Sequence, residues 1–362
     1  MPARFRTVGI KLLVDVGYTN LSMASWHEGR LGAVRRMATY NAWMQRNAGA
    51  DQRKYQFMRW LVGQLETAIA AQPGIGHVGI CLPGPIDANG RAAGGNSLWG
   101  NASLPLNPGD LSCQLGRPVS LFNDLVAAAT FHGPDALDQH HGTALVLNIG
   151  SGIGSKLYDG GQGRVVLGRS GLDGEIGYSV VDDGPDAATT LDGSMQGTLG
   201  LYSSGSGFAR LLREIAATKP EDTTLVAELS AMQLTLETAD RNAINAAAVR
   251  AARSGDALTL EVLRRSIDLL ARAVHVVVLF NAPDVIVLTG GFFHALGDIY
   301  RPMFCAALLR RLNNIYDAGQ VDAMVRAGRD DGSEILLGIA KLLQDRSPQD
   351  ARAPSCAGEV PR

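Results

Sequence analysis

The stretch Ser120-Leu121-Phe122-Asn123-Asp124-Leu125-Val126-Ala127-Ala128-Ala129 reads as the end of a buried strand that delivers Asn-Asp into an alanine-rich helix start. An Asn-Asp pair alone is most often a turn or a helix cap, because both side chains accept from nearby backbone N–H groups. Its companions along the chain change that weight. Other strands end in glycine turns at Asp15-Val-Gly-Tyr-Thr19, at Gly150-Ser-Gly-Ile-Gly154 and at Val285-Ile-Val-Leu-Thr-Gly-Gly291. Three turns able to offer backbone N–H groups to phosphate, together with one carboxylate, point to phosphoryl transfer.

Working outward toward the N-terminus, Pro83-Gly-Pro-Ile-Asp87 forces an irregular loop after the strand Val78 to Leu82, and Gly94-Gly-Asn96-Ser-Leu-Trp99 continues it. Asn96 there reads equally as a ligand contact or a surface turn. Met37 to Ala71 has helical spacing and stops at Pro73-Gly74. Gly9 to Val16 and Asn20 to His27 form a hairpin whose turn exposes N–H groups and the Thr19 hydroxyl. Toward the C-terminus, Thr143 to Ile149, the glycine turn and Ser155 to Tyr158 repeat that hairpin. Two similar halves joined near Asp124, with a cleft between lobes, are the expected arrangement. Further on, residues 222 to 252, Asp256 to Phe280, Ile299 to Leu312 and Ile335 to Leu343 read as helices, and the tail from Arg346 as disordered.

Competing motifs fit poorly. Gly150-x-Gly-x-Gly154 lacks the Gly-x-Gly-x-x-Gly spacing and the following helix of dinucleotide folds, and no Gly-Lys pair supplies a P-loop. The chain of 362 residues is long enough for two lobes. Its net charge of −2, with no basic run, speaks against nucleic acid. Cys81, Cys113, Cys305 and Cys356 are too scattered for a disulfide framework or zinc ribbon. Neither a signal core nor a membrane-length apolar run occurs, so a soluble cytoplasmic protein is expected. Glu175, within Gly171-Leu-Asp-Gly-Glu-Ile-Gly-Tyr178, sits between glycines where the backbone must pass close to something.

This ordered set resembles the ROK family of sugar kinases. The matching stretches are Asp15-Val-Gly-Tyr-Thr19, Leu82-Pro-Gly-Pro-Ile-Asp87, Asn96 to Trp99, Asn123-Asp124-Leu-Val-Ala-Ala, Gly150 to Gly154, Gly174-Glu-Ile-Gly177, Tyr202-Ser-Ser-Gly205 and Ala282 to Gly291, spanning about residues 9 to 343. The resemblance implies a two-lobed α/β fold of the actin-like, ribonuclease H-like duplicated ATPase class. It implies lobes of residues 1–123, completed by a helix at 333–345, and 124–332. By the same resemblance Asp15, Gly17 and Thr19 form a first phosphate loop, Gly150, Ser151, Gly152 and Gly154 a second, and Gly290 and Gly291 part of the adenosine site. Asn96, Asn123, Asp124, Glu175 and Tyr178 fall where the family holds the sugar. Asp124 takes the role of general base, worth roughly 10²–10⁴-fold, and Mg²⁺ bridges phosphates near Asp15.

Two departures from the family stand out. Tyr178 replaces a usual His, and Val181 to Thr198 has no Cys or His, so the family's structural zinc is not expected; Asp182, Asp183, Asp186 and Asp192 offer only oxygens suited to harder cations. Gly200 stands where another sugar-binding Glu is usual. The expected activity is ATP-dependent phosphorylation of a hexose or amino-hexose (kanosamine, glucosamine or glucose) at the 6-hydroxyl. An amino sugar is favoured because a ring ammonium could pair with Glu175 or Asp124. Expected partners are the sugar alone, with no nucleic acid or membrane, a homodimer being left open. The alternative is a non-catalytic or regulatory sugar-binding protein of the family. Only fourteen residues precede Asp15, which is short for the helix-turn-helix of such a regulator.

Overall fold

The structure, a computed structural model, describes residues 9–40, 48–92, 95–96, 98–103, 105–137, 141–190, 193, 195–218, 223–329 and 331–345. Gly94, Ser97, Asp192, part of the expected helix from Met37, and the tail from Arg346 lie outside the described residues. The chain forms two compact units. The first runs to Phe131 and regains Val165–Asp173 and the segment from Asp331; the second comprises His132–Arg164 and Gly174–Asp330.

In the first unit, β1 (Ile10–Val16), β2 (Asn20–His27), β3 (Arg30–Leu31), β4 (Arg35–Ala38), β5 (Ile75–Leu82) and β8 (Val119–Asn123) make one sheet, ordered β3-β2-β1-β5-β8 with β4 also on β2. A small ribbon joins β6 (Gly95–Asn96) to β7 (Gly100–Asn101). Three helices complete the run: α1 (Ala50–Ala71), α2 (Pro108–Leu115) and α3 (Asp124–Ala136), the last starting directly at the end of β8. Alternation along β1 sends Leu12, Val14 and Val16 into a core with Phe57, Leu61 and Trp99, and Leu13 into a second core with Phe122 and Ala127 on the other face. Burial on both faces explains why these strands read as continuous apolar runs.

The second unit repeats the plan. Its sheet runs β11-β10-β9-β12-β13, built from β9 (Thr143–Ile149), β10 (Ile153–Asp159), β11 (Arg164–Val165), β12 (Val285–Thr289) and β13 (Val325–Ala327). Its helices are α4 (Gly200–Ser203), α5 (Gly205–Thr218), α6 (Thr224–Ala231), α7 (Arg241–Arg253), α8 (Ala257–Asn281), α9 (Gly291–Ala295), α10 (Gly297–Leu312) and α11 (Ala318–Met324). Finally α12 (Glu334–Asp345) returns to the first unit, where Leu336, Ile339 and Leu343 fill the second core.

Several expectations are corrected. Met37 and Ala38 are strand, because Arg35 to Ala38 pair antiparallel with the free edge of β2, and α1 begins only after Gly49. The stretch 222 to 252, expected to be helical, is interrupted: α6 ends at Ala231, Gln233 takes a positive φ of 59° and the Asp240 side chain caps a new start by accepting from the Ala243 N–H. Cys81 and Cys305 carry free thiols, whereas Cys113 is in a disulfide that the wide cysteine spacing did not foretell. Among the described residues no helix is long and apolar enough to cross a membrane.

Candidate active site

β1, β5 and β8 are parallel, with Asp15 beside Cys81, Cys81 beside Phe122, and Leu82 beside Asn123. Their carboxyl ends therefore share one sheet edge, the place where open α/β sheets bind ligands. Asp15, the Pro83 loop and Asn123-Asp124 all emerge there. The cap reading of Asn123 is met: its Oδ1 accepts from the N–H groups of Leu125 (3.0 Å) and Val126 (3.1 Å), while its Nδ2 donates to the Gly84 carbonyl (2.9 Å). Asn96 works alike, donating to the Pro83 carbonyl (2.6 Å) and accepting from the Leu98 N–H (2.9 Å). Both buried amides tie the Pro83-Gly84 loop in place. An amide nitrogen carries two N–H groups, and only one on each asparagine is used in these bonds.

Asp124 is the first residue of α3, where backbone N–H groups favour negative charge, and its Oδ1 accepts from the Leu125 N–H at 2.9 Å. Asp15 is partly buried, and desolvation, followed by the charges of Asp124 and Glu334 against the opposing Arg36, pushes its carboxyl up to about 8. In the turn beyond it the Gly17 N–H is spent on the Asn20 carbonyl (2.9 Å) and the Gly17 carbonyl on the Thr39 hydroxyl (2.8 Å). Gly17 thus sets the tightness of the turn, its own N–H being used within it.

The Asp15 shift has a measurable consequence. Below the usual carboxylate range folded and unfolded chains both hold the proton, and the group is neutral to stability. Above it the unfolded chain releases the proton while the folded chain keeps it up to about 8, so stability falls as pH rises through that window. Asp15→Asn removes the titration. Between pH about 4 and about 8 the ligand-free variant should gain on the parent by something on the order of a few kcal/mol, read from melting curves at both ends. An unchanged difference would show that Asp15 carries no such penalty.

In the second unit β9 and β12 are parallel, with Thr289 beside Asn148, so the Gly150 and Gly290 turns leave the sheet together. Gly290 has φ 101°, and a Cβ there would lie 2.5 Å from Asn148 Oδ1 and 2.7 Å from the Ile149 carbonyl carbon; only glycine lets the two strand ends meet. The Tyr202-Ser-Ser-Gly205 stretch packs on the same turn. The Gly205 N–H donates to the Gly150 carbonyl (2.8 Å), and the Ser206 hydroxyl to the Ser151 carbonyl (2.6 Å). Ser151 and Gly152 are left exposed at the tip, while Gly154 already belongs to β10.

What the Glu175 backbone passes close to is β10. A Cβ on Gly174 would lie 2.0 Å from the Ser155 carbonyl oxygen, and one on Gly177 would lie 2.3 Å from that of Ile153. Glu175 then meets a residue that sequence reasoning missed: Lys156 Nζ stands 3.2 Å from Glu175 Oε1, with the two side chains 1% and 12% exposed. Burial pushes the Glu175 carboxyl up, and the Lys156 ammonium pulls it back. The only signal for Lys156 was one charge within a buried strand. Tyr178 is half-exposed two residues beyond the buried Ile176; burial and the Glu175 charge raise its phenol. A Cβ on Gly200 would lie 3.4 Å from the Gly177 carbonyl oxygen, which puts Gly200 beside this turn. Just beyond Gly200, the Tyr202 hydroxyl reaches back to the intervening segment, donating to Asp182 Oδ2 (2.6 Å) and accepting from the Ala188 N–H (2.9 Å). No group of three or more His, Cys, Asp or Glu among the described residues is placed to hold a metal ion.

Comparison with known proteins shows the family. The ROK family signature matches residues 15–346. A C(7)-cyclitol 7-kinase of Streptomyces hygroscopicus subsp. limoneus is 35% identical over 272 residues, 74% of each chain. The N-acetylgalactosamine kinase AgaK of a Shewanella species is 26% identical over 77% of this chain and 80% of its own. Among solved structures, a ROK family glucokinase from Streptomyces griseus in complex with glucose and AMPPNP superimposes with a TM-score of 0.68 at 23% identity, covering 92% of this chain and 99% of that one. With the fold of the actin-like ATPases and this signature along residues 15–346, the chain belongs to the ROK family.

Proposed function

We propose that this carbohydrate kinase transfers the γ-phosphoryl group of ATP to the primary hydroxyl of a six-membered-ring polyol: a hexose, an amino-hexose or a seven-carbon cyclitol. The kinases it is similar to include one named for a C(7)-cyclitol, and a carbocycle with its seventh carbon outside the ring would present a hydroxymethyl group as a hexopyranose does. The observation that carries the proposal is Asp124, held at the start of α3 by the Leu125 N–H (2.9 Å) on the same sheet edge as Asp15. Asp124 accepts the proton of the hydroxyl as it attacks, and Asn96, Asn123, Glu175 and Tyr178 orient the ring. The turns at Gly17-Thr19 and Gly150-Gly154 hold the phosphates, and Gly290-Gly291 the adenosine.

Mg²⁺ fits this chain through Asp15. A carboxyl whose charge is opposed by burial, Asp124 and Glu334 gains from a nearby cation, and Mg²⁺ is ordinarily held by one or two carboxylates plus phosphates and water. When bound it neutralises the charge on the transferred group. The use of ATP supports the cytoplasm as the setting of the reaction.

The test is polyol-dependent ADP formation across hexoses, amino-hexoses and C7-cyclitols. At least one is expected to be turned over; silence across the panel with every divalent ion would sink the proposal. Activity should vanish on chelation and return with Mg²⁺, and metal analysis of the purified protein should find no stoichiometric zinc. Zinc retained through dialysis would mean that ligands converge from residues not assigned here.

A further inference from the structure

Lysine is almost never fully buried unless its charge is answered, and Lys156, at 1% exposure, has Glu175 at 3.2 Å. The carboxylate cannot easily swing away from it. The Ser155 N–H and hydroxyl both donate to the Gly174 carbonyl, at 2.7 Å and 3.0 Å, and so pin the backbone that carries Glu175 to the strand that carries Lys156. Glu175 is therefore a carboxylate whose counter-ion is built into the fold.

We infer that Lys156 is a specificity-determining residue, an internal cation that answers the charge of Glu175 so that the site accepts an uncharged ring polyol and turns away a ring ammonium. This rests on the proposed role of Glu175 in holding the ring. A carboxylate has about four acceptor directions, so one bonded to Lys156 can still accept from a substrate hydroxyl. An ammonium in the same place would set two cations on one carboxylate where water is largely excluded, and like-charge juxtaposition of that kind suppresses the wrong partner. The amino-hexose preference expected from the sequence is thereby reversed, since the carboxylate that was to pair with the amine is already paired.

The experiment compares glucose with glucosamine, and 2-epi-5-epi-valiolone with its ring-amine counterpart, at a pH where the amines are protonated. Both kcat/KM and calorimetric Kd are measured for the parent, Lys156→Met and Lys156→Arg. The parent should favour the neutral member of whichever pair it accepts by at least about tenfold. Lys156→Met should cut that ratio by about tenfold or more, and Lys156→Arg, which keeps the charge, should retain it. A purely structural lysine would change stability, or both substrates alike, and leave the ratio where it was; that result overturns the inference, as does a parent that prefers the amine. Should Lys156→Met fail to fold, Lys156→Gln, which keeps a donor toward Glu175 but no charge, is read in its place by the same criterion. Selective binding of the neutral members without any ADP formation would sink the kinase proposal and leave the inference standing. Binding of neither member of any pair would sink the assignment of Glu175 and the inference with it.

Discussion

Replacing Asp124 by Asn should cost at least about two orders of magnitude in turnover, the scale expected of a positioned general base, while the fold and most of the polyol affinity persist. The substitution is nearly isosteric. The amide oxygen can still accept from the Leu125 N–H, as Oδ1 does at 2.9 Å, and the cap of α3 belongs to Asn123, whose Oδ1 takes the Leu125 and Val126 N–H groups. What the amide cannot do is take a proton from the attacking hydroxyl. The loss should therefore fall on kcat with KM little changed. Turnover within a few-fold of the parent would remove Asp124 from the role of base.

The second large effect is expected at Gly174. Its φ of +74° is strained for any other residue, and the Cβ of an alanine would lie 2.0 Å from the Ser155 carbonyl oxygen. Neither contact can relax without parting the loop from β10, because the Ser155 N–H and hydroxyl bond the Gly174 carbonyl. Gly174→Ala should destabilise by at least about 3 kcal/mol, the sum of a left-handed backbone and an overpacked contact, as read from the denaturant midpoint. Gly63→Ala is the reference: Gly63 sits in α1 with no atom within 4 Å of its Cβ position, so alanine there should be neutral or stabilising. Equal midpoints for the two variants would show that the loop does not bear on β10 as described.

The parts of the fold that were legible in the sequence are those where local pattern and burial agree. The β1-turn-β2 hairpin, the end of β8 at Asn123-Asp124 and the glycine turns after β9 and β12 all combine an apolar run with residues that suit a turn. Met37 was misread because an edge strand of four residues has too little alternation to compete with the helical spacing that follows it. The break between α6 and α7 lies in an alanine-rich run, where helix propensity hides the cap at Asp240. The candidate site was half legible. Its carboxylates stand in motifs, but what tunes them comes from afar: Glu334 and Arg36 act on Asp15, and Lys156 reaches Glu175 only because the Gly174 loop folds back on β10. No window of sequence contains either arrangement.

The most direct measurement is the position of the phosphate in the product formed from ATP and the best polyol of the panel, read by phosphorus NMR for the parent and for Asp124→Asn. The parent should yield a phosphomonoester coupled to the two protons of an exocyclic methylene, and the variant almost none in the same time. Phosphate on a ring hydroxyl, or an equal yield from the variant, would contradict a site in which Asp124 draws the proton from a primary hydroxyl.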